Sequence, residues 1–354
     1  MQTGQIPLKI VESFEFNHLM VDISNFSNGL INSTFKVTEN GKTLVLQKIN
    51  STVFSNPIDL IENYIQLFDY LETKKLLHIP TPIKTVDHNY FAINSEKEIW
   101  RAFEFFPNTI TFSTVQNKEQ AFGVAHCFGN LTNTLALFPV HTLKATLPNF
   151  HNLSFRFEQF QTAIKQSSSQ LKENSNVEIN TLLNKSALVQ FYEKLKTNSS
   201  YKLRVMHHDA KLSNALFEET TNKIICPIDF DTMQSGYYFS DLGDMVRSMT
   251  CTISENSEEL NLLEFREDIY EALISGYLSA LKSELTEAEK STIHYSGLLM
   301  IYMQALRFLT DYLNGNVYYQ INYPDQNLTR AKNQIAFLSK LEYYLKTNNL
   351  INSN

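Results

Sequence analysis

The sequence predicts an α+β chain of two lobes, a small strand-rich one over residues 1–106 and a larger, mainly helical one over 107–354. Three observations predict it. The first hundred or so residues carry alternating apolar runs joined by turn residues, with one helical stretch among them. From Asn117 onward the apolar spacing becomes helical. That helical half is interrupted once, by Val205-Met206-His207-His208-Asp209-Ala210-Lys211-Leu212-Ser213-Asn214 and then Ile225-Cys226-Pro227-Ile228-Asp229-Phe230-Asp231, which read as a strand, a polar loop and a second strand. A hydrophobic content of 43%, with 25 Phe and 17 Tyr, supplies core for a chain of this length and argues against disorder along most of it.

Taken in order, residues 21–50 read as strand, turn, strand: Phe35 and Val37 lead into Asn40-Gly41, a strong hairpin signal, and Leu44-Val45-Leu46-Gln47-Lys48-Ile49 returns. Gly41-Lys42-Thr43 imitates the end of a Walker A loop, but Lys36 stands where that motif needs its first Gly, and a turn between strands cannot open a helix. A helix is expected over 57–75, where Leu60, Ile61, Ile65, Leu67 and Leu71 flank Glu62, and a strand over 100–106, stopped by Pro107. Asn117-Lys118-Glu119-Gln120 reads as a capped start for a helix carrying Phe122, Ala125, Phe128, Leu131 and Leu135. The polar run 166–175 reads as a helix end and loop. Beyond the strand-loop-strand, Asp241-Leu242-Gly243-Asp244 enters a helix, and amphipathic helices are expected over about 258–281, 287–313 and 327–344, with Thr286 and Glu289 as a capping box. The tail 347–354 reads as frayed.

Net charge is −7 with no dense Lys/Arg block, which points away from a nucleic-acid groove or an anionic membrane surface and toward small-molecule partners. Cys127, Cys226 and Cys251 lie in apolar runs without metal-ligand spacing, so buried free thiols and a reducing, cytoplasmic compartment are expected. The N-terminus lacks a basic segment followed by an apolar core, and the most apolar later stretch, 298–309, contains Gln304 and Arg307, so neither export nor membrane spanning is expected.

The interrupting segment carries the chemistry. His-x-Asp, an Asn five residues after the Asp, and an Asp closing the next strand are the parts of a kinase-like phosphotransfer site, where charge on a phosphoryl group in transit is met by metal ions already in place. Asp209 is the expected catalytic residue, accepting a proton from an acceptor hydroxyl or orienting it, and Asn214 and Asp229 are the expected magnesium ligands. A hairpin with capping Asp and Asn residues is the competing reading. For the nucleotide, Asn32, Ser33 and Thr34 in the turn from Asn28 are candidate phosphate contacts, as is Lys48, with Leu46 covering the base; a shift of register would put Gln47 in place of Lys48. Glu62 is the candidate partner of that lysine, and Glu104 and Phe105, just before Pro107, fall where an interlobe hinge would bind the base edge.

The segments Gly29-Leu30-Ile31-Asn32-Ser33-Thr34-Phe35, Leu46-Gln47-Lys48-Ile49-Asn50, Pro148-Asn149-Phe150-His151, His208 to Asn214, Asp229-Phe230-Asp231-Thr232-Met233, Asp241-Leu242-Gly243-Asp244 and Arg307-Phe308-Leu309-Thr310-Asp311-Tyr312-Leu313 together resemble the aminoglycoside phosphotransferase and choline kinase superfamily, and most closely its N-acetylhexosamine 1-kinase branch. The resemblance runs over nearly the full length. It implies a bilobed protein-kinase-like fold and transfer of the γ-phosphate of ATP, with Mg2+, to the anomeric hydroxyl of N-acetylglucosamine or N-acetylgalactosamine. An aminoglycoside, choline, ethanolamine or other sugar kinase, or a nucleotide-binding pseudokinase, are the alternatives. His208 in place of the Arg usual in protein kinases, Asp231 in place of a Gly, and the lack of an Ala-Pro-Glu activation segment set the chain apart from protein kinases. For the sugar, Arg307, Asp311, Tyr318 and His151 are the candidate contacts, against an intrahelical Arg307–Asp311 ion pair with core tyrosines and a core or loop histidine.

Overall fold

The computed structural model describes residues 6–27, 31–75 and 77–352. Asn28, Gly29 and Leu30, at the start of the expected phosphate turn, and the last two residues of the tail lie outside the described residues. The chain divides into two compact units, one of 1–110, 137–148 and 216–234, the other of 111–136, 149–215 and 235–354.

The first unit is built on an antiparallel sheet in the spatial order Asp22–Ser27, Ser33–Glu39, Lys42–Lys48, Ile99–Glu104, Pro82–Ile83, with Ala92–Ile93 also paired to Ile99–Glu104. The hairpin forms at Asn40-Gly41, both with positive φ (49° and 85°), as a tight turn between right-twisted strands requires. Its register pairs Phe35 with Leu46, Leu46 with Ala102, and Gln47 with Arg101. Period-two alternation then sorts the side chains. Phe35, Val37, Leu44, Leu46, Trp100 and Ala102 share one face and pack against Ile10, Val11 and Phe14 at the N-terminal helix Leu8–Ser13. The other face carries Thr34, Gln47, Arg101 and Phe103, and there the helix Pro57–Lys74 lays Tyr64 against Phe103 (ring centroids 5.0 Å) and Phe230 (5.4 Å). A smaller sheet joins Ile224–Pro227, Ala215–Glu218 and Thr109–Ile110.

The second unit is helical. Lys118–Thr134 packs on Glu267–Leu281, and Tyr295–Leu313 runs through the middle, touching Leu153–Gln166, Phe239–Met249 and Gln326–Thr347. Its burial on nearly every side explains the apolar run at 298–309; no helix among the described residues is long and apolar enough to cross a membrane. Asn117 caps its helix by accepting from Gln120 N at 2.9 Å, and Thr286 and Glu289 form the expected capping box.

Two expected helices are broken. Residues 258–266 hold only the turn Leu260–Leu262, because serine hydroxyls capture nearby backbone N–H groups, Ser254 that of Asn256 and Ser257 that of Glu259 (both 3.2 Å). The span 287–313 breaks after Glu287–Ser291, where Thr292 Oγ1 turns back to Ala288 O, and resumes at Tyr295. The polar run 166–175 contains the short helix Ser169–Asn174, capped by Ser168.

Candidate active site

The strand Arg204–Met206 delivers the loop that carries Asp209. The backbone N–H groups of His207 and His208 both donate to the buried carboxylate of Asp241, at 2.9 and 2.7 Å, so the first turn of Phe239–Met249 pins the loop from below. Burial pushes the Asp241 carboxyl up to about 7 while these two N–H groups and like charges nearby pull in opposite directions. His208 takes φ 64°, and Gly236 lies against its ring, where an added Cβ would stand 2.5 Å from Cε1; only glycine fits. Asp209 itself is half-buried. Its Oδ2 accepts from Asn214 Nδ2 and Lys211 Nζ, both at 2.8 Å, and Asn214 Nδ2 also donates to Asp209 O at 2.8 Å. Asp244 is paired with Arg247 at 2.9 Å, and Arg247 also reaches Glu255 at 3.1 Å.

With its amide hydrogens engaged by Asp209, Asn214 presents Oδ1 on its other side, a hard oxygen of the kind magnesium takes. Asp229 belongs to the strand-rich unit, is exposed, and sits at φ 64° directly after the strand Ile224–Pro227 and one residue. Its carboxylate, too, is a hard oxygen donor.

On the nucleotide side, Asn32 is buried, donating to Asp231 Oδ2 at 2.6 Å and accepting from Asn50 N at 2.9 Å; Ser33 is exposed, and Thr34 Oγ1 accepts from Gln47 Nε2 at 3.0 Å. Lys48 stands elsewhere than expected. Lys48 does share a face with Leu46, but that face is covered by the N-terminal helix, Leu46 is 1% exposed within the apolar cluster, and Lys48 pairs with Glu98 at 3.0 Å. Glu62 pairs with Lys144 at 2.7 Å, not with Lys48. Arg101 lies on the opposite face, ion-paired with Asp231 and donating through Nε to Gln47 Oε1 at 3.0 Å. Glu104 ends its strand with its carboxylate on Thr81 Oγ1 at 2.6 Å and His78 at 3.3 Å, and the Lys36 ammonium lies over the Phe105 ring.

In the helical unit the Arg307 guanidinium sits 5.3 Å from the ring centre of Phe150, 5.8 Å from Tyr318 and 5.6 Å from Tyr319. It forms no ion pair with Asp311. That buried carboxylate instead accepts backbone N–H groups from Val317, Tyr318 and Tyr319 (2.8–2.9 Å) and Asn327 Nδ2 at 2.9 Å, so it shapes the tyrosine loop from beneath. His151 stacks on Phe150, and its Nδ1 lies 3.2 Å from His208 Nδ1. Burial, then the positive fields of His208, Arg307, Arg247 and Arg156, hold it well below the usual histidine range, so it is neutral at pH 7.

Residues 22–277 match the model of the phosphotransferase enzyme family. This chain belongs to that family. Solved structures share its fold at low identity: an aminopropanol kinase associated with a microcompartment (16% identity, 97% of this chain and 98% of that one, TM-score 0.68), an aminoglycoside phosphotransferase from Alicyclobacillus acidocaldarius (12%, 98% of each, TM-score 0.63), and choline kinase from Cryptosporidium parvum Iowa II (16%, 95% and 93%, TM-score 0.51). The phosphotransferase carries an antiparallel sheet in one unit and helices in the other, the α+β kinase-like fold.

Sequence reasoning did not find three residues of this phosphotransferase. Lys211 was legible only as loop, although its place two residues after Asp209 carries its ammonium to the carboxylate. Arg156 lacks any motif, yet burial and Arg307 bring its guanidinium down to about 10. Arg101 stood within an apolar strand, where a buried charge between Trp100 and Ala102 is itself a signal that a partner must exist.

Proposed function

We propose that this chain transfers a phosphoryl group from ATP, with Mg2+, to a hydroxyl of a small sugar, and that its preferred acceptor is the anomeric C1 hydroxyl of N-acetylglucosamine or N-acetylgalactosamine. The observation that carries the reading is the state of Asp209: one carboxylate oxygen held by Asn214 and Lys211 on a backbone pinned by Asp241. Such an anchored carboxylate is positioned to take the proton of an acceptor hydroxyl through Oδ1. Asn214 Oδ1 and Asp229 hold the magnesium, Asn32, Ser33 and Thr34 approach the phosphates, and the main chain at Glu104 and Phe105 meets the base. Magnesium-bound ATP supplies the phosphoryl group and the charge neutralisation its transfer needs.

The acceptor class follows from charge. The solved relatives include kinases named for aminopropanol and choline, acceptors that bring a positive charge of their own. Around Arg307 this chain gathers Arg156, hydrogen-bonded like Arg307 to neutral groups, and a neutral His151, while Arg247 is compensated by Asp244 and Glu255; the Arg307 and Arg156 guanidiniums are unfavourable to a second cation. Arg307 offers several donors to sugar oxygens, Tyr318 offers a ring face with a hydroxyl, and neutral His151, its Nδ1 facing His208 Nδ1, offers Nε2. Asp311 serves the sugar indirectly, through the loop that carries Tyr318.

The test is ATP consumption with magnesium against N-acetylglucosamine, N-acetylgalactosamine, glucosamine, choline, ethanolamine and an aminoglycoside. Turnover with the N-acetylated sugars is expected. Turnover confined to the amines favours another small-molecule kinase, and ATP binding without turnover on any acceptor favours a pseudokinase.

A further inference from the structure

On the sheet face that carries Gln47 and Arg101, Lys36 is drawn over the Phe105 ring, 4.6 Å from its centre, and Lys48 stands on the opposite face. Register decides that position: Gln47 lies on the face shared by Thr34, Arg101 and Asp231, whereas Lys48 faces the N-terminal helix and Glu98. We propose that Arg101, one strand over from Gln47, is the cation that meets the phosphates of the bound nucleotide.

Four observations in the strand-rich unit converge on this assignment. Arg101 is 4% exposed, a burial that a guanidinium tolerates only with partners on several sides. Its Nε and Nη2 both donate to Gln47 Oε1, at 3.0 and 2.6 Å, so the glutamine occupies the cross-strand position and steers the guanidinium instead of supplying a charge. Nη2 also pairs with Asp231 Oδ1, and Asp231 Oδ2 receives Asn32 Nδ2 at 2.6 Å. The guanidinium is thereby fixed between Asn32, directly before the strand Ser33–Glu39, and the Asp229-Phe230-Asp231 segment. Finally, Nη1 is buried without a hydrogen-bond partner among the described residues. An orphaned guanidinium N–H costs on the order of 1–3 kcal/mol, and an anionic oxygen is the partner that best meets it. Asp231 therefore orients Arg101 and the turn, which separates its role from that of Asp229.

The assignment rests on the ATP-dependent reading above and is tested by binding, without turnover. A fluorescent ATP analogue is titrated, with magnesium, into wild type, Lys48→Met, Arg101→Met and the double variant Arg101→Met/Gln47→Lys. Arg101→Met is expected to weaken binding roughly thirtyfold, the loss of a charge-assisted contact, while Lys48→Met stays within about threefold. A lysine at position 47 is expected to recover about tenfold, because it restores a cation on the same face; a purely structural role of Arg101 predicts no such rescue. Wild-type binding retained in a folded Arg101→Met protein overturns the proposal, as does a loss that Gln47→Lys leaves untouched. Because Arg101→Met removes a buried ion pair, a second measurement uses the intact protein: the Arg101 side-chain Nε–H resonance shifts on adding magnesium-ATP but not adenosine. An unchanged resonance with ATP bound contradicts the assignment while sparing the kinase reading, whereas a wild-type protein that binds no ATP removes both.

Discussion

Asp209 is held from both sides of its loop. Asp241 fixes the backbone before it, and Asn214 and Lys211 fix one carboxylate oxygen, so an Asp209→Asn change removes the proton acceptor while leaving the loop's anchors in place. Turnover is expected to fall at least about a thousandfold with nucleotide affinity retained, as separate activity and binding titrations would record. Asp229→Ala, in contrast, should weaken magnesium-dependent ATP binding as well. His151 gives a pH test of its own. Because the folded protein holds this histidine below its ordinary value of 6.5, the unfolded chain takes up a proton first as pH falls. The stability it contributes is fully present above pH 6.5 and is lost as pH falls below it. Replacing His151 with Gln should flatten the acid side of the urea-unfolding profile; an unchanged slope between wild type and variant would show that the ring is free to protonate in the folded state.

At the scale of elements, the helical unit is tied by a buried ion pair. Arg204, at the start of the strand leading to Asp209, donates from both terminal nitrogens to Glu289 at 2.7 and 2.8 Å, with side-chain exposures of 5% and 0%. Arg204→Met strands the carboxylate and should cost about 3–5 kcal/mol in denaturant unfolding. Thr286 and Glu289 were legible from spacing because a capping box is local chemistry, and so were the Asn40-Gly41 hairpin and the start of the helix at Lys118. The breaks after 258 and at 292 were not, since serine and threonine hydroxyls compete for backbone groups without altering the apolar period. Lys48 shows the same limit in a strand. Alternation tells which residues share a face with Leu46, but which face the N-terminal helix covers is a tertiary fact, and it placed the lysine away from Asp231 and Arg101 beside it.

Over the whole molecule, the proposed acceptor preference rests on charge. The chain carries a net −7, yet Arg156, Arg247 and Arg307 gather about His151 in the helical unit. Glucosamine, protonated at neutral pH, is therefore expected to show a kcat/KM at least about tenfold below that of N-acetylglucosamine, a difference of roughly 1.4 kcal/mol. Equal values for the two sugars would detach the arginine group from acceptor recognition. The motif around Asp209 was readable because phosphoryl transfer needs few oxygens at fixed spacing, whereas the proposed acceptor contacts His151, Arg307 and Tyr318 are far apart in sequence and ordinary in composition.

The most direct test is the position of the new phosphate. After incubation of the wild-type protein with magnesium-ATP and N-acetylglucosamine, the account predicts a sugar product whose anomeric proton is split by phosphorus in the NMR spectrum. A phosphate found on C6 or another hydroxyl, or an unmodified sugar where an amine acceptor is consumed, would contradict it.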